Sequence, residues 1–346
     1  MEKYQLFECS HEKFNAGDKA PQDVRFFAEE VGFKRISFFY WGDLGGFSRL
    51  LAHARRFFEW LLLFLRVKSG SFLFMQLPLV RGGRFYRLFF LNLLKSAKKV
   101  KVITLIHDVN ELRYEDSKKE RLLLDEAVKV SDRLIVHNKK MADYFERERN
   151  VPPEKLIALV LFDYRTECEL KSIPFEKSIT IAGTLDAKKC AYLNNLSSFS
   201  DIHFHLYGKN YAESGAENIT YHGQFDPADI VEQMAFGFGL VWDGNSADSC
   251  IGRYGNYLRY NNPHKLSMYL VATLPVIVWR ESAVSDFVLE NGVGLSVSSI
   301  REAVEKVNGL SAEDYQKMRD RCAEISKKLK CGHFTKTALS SALVDF

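Results

Sequence analysis

The sequence lacks most of the short motifs that mark common nucleotide- and metal-dependent enzymes. It contains no GxxxxGK[ST], which excludes a P-loop, and no GxGxxG after the first strand pattern, which argues against a dinucleotide oxidoreductase. GxSxG and HExxH are also absent, which disfavours the hydrolases and zinc proteases that carry them. There is no Asp-x-Asp to hold a metal on a nucleoside diphosphate, so helix N-termini and basic side chains would have to neutralise such phosphates.

Cysteine pairs and long apolar runs are also scarce. The six cysteines form no CxxC pair, so a zinc ribbon or a thioredoxin motif is unsupported. In the most apolar region the longest uncharged run is Trp60–Leu65, far short of the roughly 20 residues of a spanning helix. The first residues show no apolar signal region. We therefore expect a reduced, cytoplasmic protein, with peripheral contact to the inner face of a membrane left open.

Short apolar strand patterns alternate with helical patterns along the 346 residues, which is typical of α/β proteins with buried parallel sheets. This alternation predicts two doubly wound units, at 1–162 and 163–330, with a closing helix in 331–346 that returns to the first unit. The predicted strands are 4–9, 35–40, 71–77, 100–107, 133–137, 178–182, 202–207, 219–222, 239–242, 275–279 and 294–297. The predicted helices are 21–31, 46–66, 83–98, 115–130, 139–149, 186–198, 227–236, 264–273, 282–290, 300–309 and 312–329.

The stretch from Asn261 to Trp279 carries the clearest chemical signal. Pro263 opens a predicted helix, and the chain then turns through Leu274-Pro275 into the strand pattern PVIVW. Lys265 therefore lies in the first helical turn, where its cation adds to the attraction of the helix dipole for an anion. The alternative is an ordinary surface lysine on a crossover helix.

Several segments together resemble a known family. They are GLVWDG at 239–244, Tyr257-Leu258-Arg259, NPHKLSMYL at 262–270 and LPVIVW at 274–279, with IHDVNELR near 106–113, LFDYR at 161–165, IAGTL at 181–185, HLYGKN at 205–210 and DFVLENGVGLSV at 286–297. They resemble bacterial galactofuranosyltransferases and the related glucosyltransferases of adhesin glycosylation, which are GT-B glycosyltransferases. The block from Gly239 to Trp279 is specific, whereas the first half matches in pattern and in the IHD motif.

The resemblance implies an α/β GT-B fold, with two Rossmann-like domains facing each other across a cleft. The N-terminal domain would bind a glycan or lipid-linked glycan acceptor, and the C-terminal domain a UDP-sugar, with no cofactor and no metal. The implied nucleotide-binding residues are Gly183, Thr184, Tyr207, Asn262, His264, Lys265 and Ser267, with Lys265 on the diphosphate and Tyr207 beside the uracil or ribose. Trp242, Asp243 and Tyr257 would lie at the donor sugar or its loop; for Trp242-Asp243-Gly244 the alternative is a simple turn.

The sequence departs from the commonest GT-B pattern in one respect. Many retaining members have two glutamates eight residues apart before the PVI strand, and here those positions are Tyr260 and Met268. We therefore expect an inverting transfer of a galactofuranosyl or glucosyl group in cell-surface polysaccharide or glycoprotein glycan synthesis. The alternatives left open are a retaining hexosyltransferase and a catalytically silent nucleotide-sugar-binding partner of another transferase.

An inverting transfer needs a general base on the acceptor side. Asp108 and His107 follow the strand pattern KVKVITLI, and Asp43 lies in the glycine-rich WGDLGG segment. Residues at the carboxyl ends of parallel strands face the ligand crevice, which favours the first two. For Asp108 the alternative is a helix cap.

Basic residues are concentrated between Arg49 and Lys101, although the whole chain carries only +4. Twelve Lys/Arg and one acid, Glu59, give this segment a charge of 12 − 1 = +11, interleaved with aromatic residues and leucines. Two helices that cover a sheet explain part of the pattern; the excess charge predicts contact with an anionic membrane surface. Nucleic acid ranks lower because no RNA- or DNA-binding module is recognisable. A homo-oligomer is compatible with the sequence.

Overall fold

The computed structural model describes residues 1–8, 16–39, 46–78, 83–114, 118–168, 174–187, 189–212, 214–227 and 229–344. Within them the chain forms two six-stranded parallel sheets, one in each half. The predicted two-unit α/β alternation is therefore confirmed.

The strands of the first sheet are β1 Lys3–Glu8, β2 Lys34–Phe38, β3 Phe72–Leu77, β4 Lys101–Ile106, β5 Arg133–Val136 and β6 Leu156–Ala158. Their order in the sheet is β2-β1-β3-β4-β5-β6, and all paired strands are parallel. The central strands are buried on both faces because helices cover both sides, which explains their continuous apolar sequences. The helices of this half are α1 Ala16–Glu30, α2 Gly46–Arg66, α3 Arg84–Lys98, α4 Lys118–Val130 and α5 Lys139–Arg149.

The strands of the second sheet are β7 Ser178–Thr184, β8 His203–Lys209, β9 Ile219–Tyr221, β10 Phe238–Val241, β11 Val276–Trp279 and β12 Gly294–Val297. Their order in the sheet is β12-β11-β10-β7-β8-β9, again with parallel pairing. The helices are α6 Ile230–Gln233, α7 Gly252–Tyr257, α8 His264–Val271, α9 Ser285–Asn291, α10 Ile300–Gly309, α11 Ala312–Lys330 and α12 His333–Ser341.

Two predicted helices of this half are wrong in type or length. The segment predicted as a helix at 186–198 is a 3-10 helix over Ala191–Ser198. Its sequence is rich in Asn and Ser, which compete with the helical backbone for hydrogen bonds. The segment predicted at 227–236 is helical only over α6, because Phe236 leaves the helix to stack on His205 with ring centroids 4.1 Å apart. The short helix α7 is not among the predicted helices.

The last helix, α12, follows the second sheet but packs against α1 and β6 of the first half. Its first turn is held by Asp163, whose carboxylate accepts hydrogen bonds from Thr335 N at 2.6 Å and Phe334 N at 3.3 Å. A carboxylate at a helix N-terminus satisfies free N–H groups and interacts favourably with the dipole. Asp163 itself lies in the connection between the two halves, so one buried side chain ties the connection to α12.

Candidate active site

Two adjoining cavities lie where the two halves of the chain meet. The central cavity, about 330 Å³, is lined from the N-terminal half by residues that include His107, Asp108 and Arg113, and from the C-terminal half by residues that include Lys189, Asp243, Tyr257 and Lys265. The side cavity, about 230 Å³, opens beside it over Tyr164, Lys209, Phe225 and Met268. The two share Gly17, Ala182, Gly183, Thr184, His264 and Lys265, so they form one cleft.

The cleft lies at the carboxyl ends of strands from both sheets. His107 and Asp108 follow β4, Gly183 and Thr184 end β7, and Asp243 follows β10. Ligands of open α/β sheets bind at this edge because the loops there are free of the sheet pairing. A larger groove of about 850 Å³ lies elsewhere and is lined mainly by charged side chains of α4 and α5.

Two glycines shape the floor of the cleft. Gly183 and Gly208 are paired in register at the ends of β7 and β8, with φ of +132° and +144°. A Cβ on Gly208 would lie 1.7 Å from the carbonyl oxygen of Gly183, whereas the corresponding space at Gly183 is open. Glycine at 208 therefore lets the strand ends approach each other, and glycine at 183 leaves bare backbone for a ligand to approach.

Lys265 is the second residue of α8 and lines both cavities, in the helical turn that the sequence predicts. Its Nζ donates to the carbonyl oxygen of Trp242 at 2.7 Å and to Asp243 Oδ1 at 3.0 Å. Lys189 Nζ lies 3.8 Å from the same Asp243 oxygen. One carboxylate thus holds two lysines at the cavity wall, which leaves net positive charge for an anionic ligand.

Asp108 faces this wall from the N-terminal half. Its Oδ2 lies 2.8 Å from Arg113 Nη1, and it accepts a hydrogen bond from the hydroxyl of Tyr257, which in turn accepts one from Val109 N at 2.8 Å. The carboxylate side chain is 38% exposed within the cavity. The surrounding protein nevertheless raises the pKa of Asp108 by desolvation, and Arg113 and Tyr257 oppose that rise. A carboxylate held in this way is suited to accept a proton.

His107 is less suited to that task. Gln76 donates through its Nε2 to Pro21 O at 3.2 Å, so its Oε1 accepts from His107 Nε2 at 2.6 Å. Burial, with His137 and His264 nearby, lowers the pKa of His107 to about 3. The ring is therefore neutral and a weak proton acceptor. Asp43, the third predicted base, lies outside the described residues.

Three buried polar atoms at the cavity wall have no hydrogen-bond partner within the described part of the chain. They are Nε2 of His264, Oδ1 of Asn261 and Nε of Arg113. The His264 ring stacks on Tyr164 with centroids 5.0 Å apart, and burial lowers its pKa to about 3, so the ring is neutral. Arg113 pairs with Asp108 through Nη1. Buried polar groups are normally paired, so the atoms of His264 and Asn261 are available to a bound molecule.

Two predicted nucleotide contacts, Asn262 and Ser267, bind protein backbone at the junction of the two halves, although Asn262 also lines the central cavity. Asn262 Nδ2 donates to His137 O at 2.6 Å and to Val160 O at 2.9 Å. Ser267 Oγ donates to the carbonyl oxygen of Phe162 and is almost fully buried. Both side chains bind protein backbone across the junction, so the proposed UDP-sugar site does not include them.

Tyr207 and Trp242 are buried in the core. The ring of Tyr207 stacks on His222 with centroids 4.4 Å apart, and its hydroxyl donates to Gln233 O at 3.2 Å. Tyr207 is not among the described residues that line either cavity. The indole of Trp242 donates to Ser246 O. Trp242 contacts the site through its backbone carbonyl, which accepts from Lys265 Nζ.

A histidine cluster with one carboxylate partner lies on the second sheet, at His205. Its Nε2 lies 3.0 Å from Glu176 Oε1, and its Nδ1 lies 3.0 Å from His222 Nε2. Glu176 precedes β7 by two residues and reaches β8 only in the folded sheet, which the strand pattern does not show. In the described ranges, we find no group of three or more His, Cys, Asp or Glu arranged to hold a metal ion.

Arg113, Lys189 and Asn261 also line the central cavity, and the sequence motifs did not single them out. The sequence could have pointed to Arg113, because Arg113 is the last residue of the IHDVNELR segment that contains the predicted base Asp108. For Asn261 the signal was its position at the start of the stretch from Asn261 to Trp279, whereas Lys189 lies in a loop without a distinctive pattern.

Much of the basic segment 49–101 is neutralised in the fold. Arg56 is 1% exposed and pairs with Glu8 and Glu59, while Arg87 is buried against Glu126. Further pairs are Arg84 with Glu126, Lys95 with Asp132 and Lys68 with Glu2. Most of these acids lie outside the segment, so its local charge of +11 overstates the charge that it presents. Among the described residues, none of the helices has the length and apolarity needed to span a bilayer.

The two parallel sheets with a cleft at their carboxyl edges define the GT-B class of glycosyltransferase fold. In line with this, the fold is similar to that of Anabaena Alr3699/HepE, solved in complex with UDP-glucose. The TM-score is 0.60 at 10% sequence identity, and the match covers 98% of each chain.

The chain belongs to the Glucosyltransferase 3-like family: the N-terminal domain of that family matches residues 3–160 and the C-terminal domain matches residues 179–342. It is 28% identical over 351 residues to the β-1,6-galactofuranosyltransferase WbbI of Escherichia coli strain K12, covering 99% of this chain and 98% of the relative. It is 27% identical over 332 residues to Glucosyltransferase 3 of Streptococcus gordonii, covering 94% and 93%. The predicted family is thus confirmed, and the chain is a glycosyltransferase.

Proposed function

We propose that this glycosyltransferase moves a hexosyl group from a UDP-sugar to a hydroxyl of a glycan acceptor, in a single inverting displacement that needs no metal ion. The observation that carries the proposal is the central cavity, where Lys265 and Lys189 on one wall face Asp108 on the other. Cations suit a departing diphosphate, and a carboxylate suits an attacking hydroxyl.

The donor would bind to the C-terminal half. Its diphosphate would lie against Gly183 and Thr184 and be neutralised by Lys265, with Lys189 beside it. The uridine would occupy the side cavity, whose wall includes Tyr164 and other apolar side chains. The unpaired Nε2 of His264 lies where the two cavities join and would bind the donor there.

The acceptor would bind against the N-terminal half. Its hydroxyl oxygen forms a bond to the anomeric carbon while Asp108 takes the hydroxyl proton, and the bond from that carbon to the β-phosphate oxygen breaks. The electron pair leaves with UDP, whose developing charge is stabilised by the two lysines. Arg113 and Tyr257 hold the carboxylate in place for this transfer.

Metal independence is part of the proposal. Lysines already positioned by Asp243 supply the positive charge that a divalent cation supplies in other transferases. For the donor sugar we retain galactofuranose and glucose, because the two relatives are named for these two transfers. The product would belong to a cell-surface polysaccharide or a glycoprotein glycan.

We place the reaction in the cytoplasm. No disulfide forms among the cysteines of the described residues, which suits a reducing compartment.

A panel of UDP-sugars tests the function directly. The protein is incubated with each donor without acceptor, and UDP release is measured, since a transferase slowly hydrolyses its own donor. We expect release from UDP-galactofuranose or UDP-glucose, and nuclear magnetic resonance should show the opposite anomer in the first product formed. Retention of the donor configuration would overturn the single displacement. Binding of a UDP-sugar without any turnover, with or without a glycan acceptor, would instead indicate a silent binding partner.

A further inference from the structure

Helix α2 is apolar on the side that faces solvent as well as on the side that faces the sheet. Toward the sheet it buries Trp60 and Leu63. Outward it exposes Leu51 by 56%, Phe58 by 59%, Leu62 by 49% and Leu65 by 63%. A helix that is apolar all round is normally covered on every side.

The four exposed side chains form a line rather than a scatter. At 3.6 residues per turn they fall within an arc of about 60° and extend along about 21 Å of the helix. Single exposed leucines are ordinary on a protein surface, whereas a contiguous apolar stripe marks an interaction site.

The stripe continues onto the neighbouring helix α3. Phe85 and Phe89 of α3 are 85% and 52% exposed. The rings of Phe58, Phe57, Phe90 and Phe89 form a chain of contacts between the helices, with successive centroids 5.9, 5.5 and 5.2 Å apart. We call the surface formed by Leu51, Phe58, Leu62, Leu65, Phe85 and Phe89 the α2–α3 face.

Negative charge is almost absent from this face. In sequence, α2 and α3 contain a single acid, Glu59. Its carboxylate pairs with Arg55 and Arg56 and accepts a hydrogen bond from Phe39 N at 2.9 Å. Arg55 on the outer face of α2, Arg66 at its end and Lys99 after α3 are exposed cations.

We propose that the α2–α3 face docks on an anionic lipid bilayer, with its apolar side chains in the interface and its cations at the headgroups. An apolar surface edged by cations and free of exposed acids is complementary to such a bilayer. A second copy of the same face is a poorer partner, because a two-fold contact would bring like charges together. Charge alone does not account for the docking, because six cations of the described part of the segment pair with acids within the fold.

The position of the face relates it to the active site. Helices α2 and α3 follow β2 and β3, so both begin at the edge of the sheet where the cleft opens. A bilayer on this face would therefore lie beside the acceptor side of the cleft. If the proposed function holds, a lipid-linked acceptor would enter the cleft from this side.

Flotation of the full chain with vesicles tests the docking without any assay of activity. The vesicles are phosphatidylcholine alone or phosphatidylcholine mixed with phosphatidylglycerol. We expect binding to the mixed vesicles that salt weakens. The double variant Leu62→Gln/Leu65→Gln should lower the partition coefficient at least about tenfold, because two leucines no longer enter the interface. The matched control Leu122→Gln/Leu289→Gln changes two leucines of similar exposure outside the face and should bind as the wild type does.

Circular dichroism of each variant confirms the fold before binding is measured. Absence of binding by the wild type, or equal loss in the test and control variants, overturns the proposal. Sedimentation velocity measures whether the chain forms a dimer in solution. A dimer that Leu62→Gln/Leu65→Gln dissociates, together with no flotation, would show that the face is an interface between copies of this chain.

Discussion

The hydroxyl of Tyr257 donates to the carboxylate of Asp108, and the two residues come from opposite halves of the chain. The same hydroxyl accepts from Val109 N at 2.8 Å, so it fixes the backbone next to Asp108 as well. The candidate base is thus oriented by the domain that we propose binds the donor. The environment that orients Asp108 is therefore complete only when the two halves are packed together.

Replacing Asp108 by Asn should lower turnover by roughly 10²–10⁴-fold, the usual contribution of a positioned general base. Asn keeps the shape of the side chain but does not accept the proton. UDP affinity, measured by calorimetry, should stay nearly unchanged because the proposed donor contacts lie in the other half. Asp320→Asn on α11 is the control and should retain full activity. Turnover above about a tenth of the wild type would exclude Asp108 as the base.

Replacing Tyr257 by Phe should move the acidic limb of the kcat/KM profile to higher pH. The hydroxyl hydrogen bond favours the ionised form of Asp108, so its loss raises the pKa of that carboxyl further. The active form is the ionised one, so more activity is lost at low pH. Tyr254→Phe, which changes another tyrosine of the same cavity, should leave the limb in place. An unshifted profile in Tyr257→Phe would contradict the coupling.

Lys265→Ala should weaken UDP binding by roughly 1.5–3 kcal/mol, the range for a hydrogen bond to a charged group. Calorimetry with UDP measures the loss, and thermal unfolding shows whether the fold is intact. Lys306→Ala, at a half-exposed lysine of α10, serves as the control. If both variants bind UDP as the wild type does, Lys265 does not contact the diphosphate.

Treatment with EDTA should leave transferase activity unchanged. The expected reason is that Lys265 and Lys189 stabilise the leaving diphosphate without a cation. Activity is measured on protein dialysed against chelator, with a Mg²⁺- or Mn²⁺-supplemented sample alongside. Loss of turnover on chelation and its return with either metal would refute metal independence.

Asp163 should make the folded protein less stable as pH rises. Burial raises its pKa to about 7, so the fold favours the protonated form. The stability contribution is fully present below the unfolded pKa of about 4 and is lost as pH rises through about 7. The side chain of the Asp163→Asn variant remains neutral at every pH. The Tm of the variant minus the Tm of the wild type should therefore be larger at pH 8 than at pH 5. A Tm difference independent of pH would contradict this account.

Local patterns predicted the sheets and helices well because short buried strands and amphipathic helices leave their period in the sequence. The strand before Asp108 and the helix that begins near Lys265 are examples, and both bring their residues to the cleft. The sheet topology then brings such residues together, because parallel strands place their carboxyl ends at the same edge of the sheet.

The same patterns failed where a side chain meets a partner far along the chain. Ser267 follows Lys265 by two residues on α8, yet it faces Phe162 at the domain junction. Arg56 looks like a surface cation in its segment but is buried against Glu8 from β1. Neither partner is visible in a window of neighbouring residues.

Residue order was sufficient to place Lys265 in the first turn of its helix and Asp108 at the end of its strand, because backbone geometry over a few residues follows from local sequence. Packing of the two halves decided which charges face the cleft, which are neutralised and which tyrosine orients the base. Those outcomes depend on burial and on contacts between residues more than a hundred positions apart, such as Tyr257 and Val109. Electrostatic free energies change steeply with distance and solvent access, and the fold alone sets both.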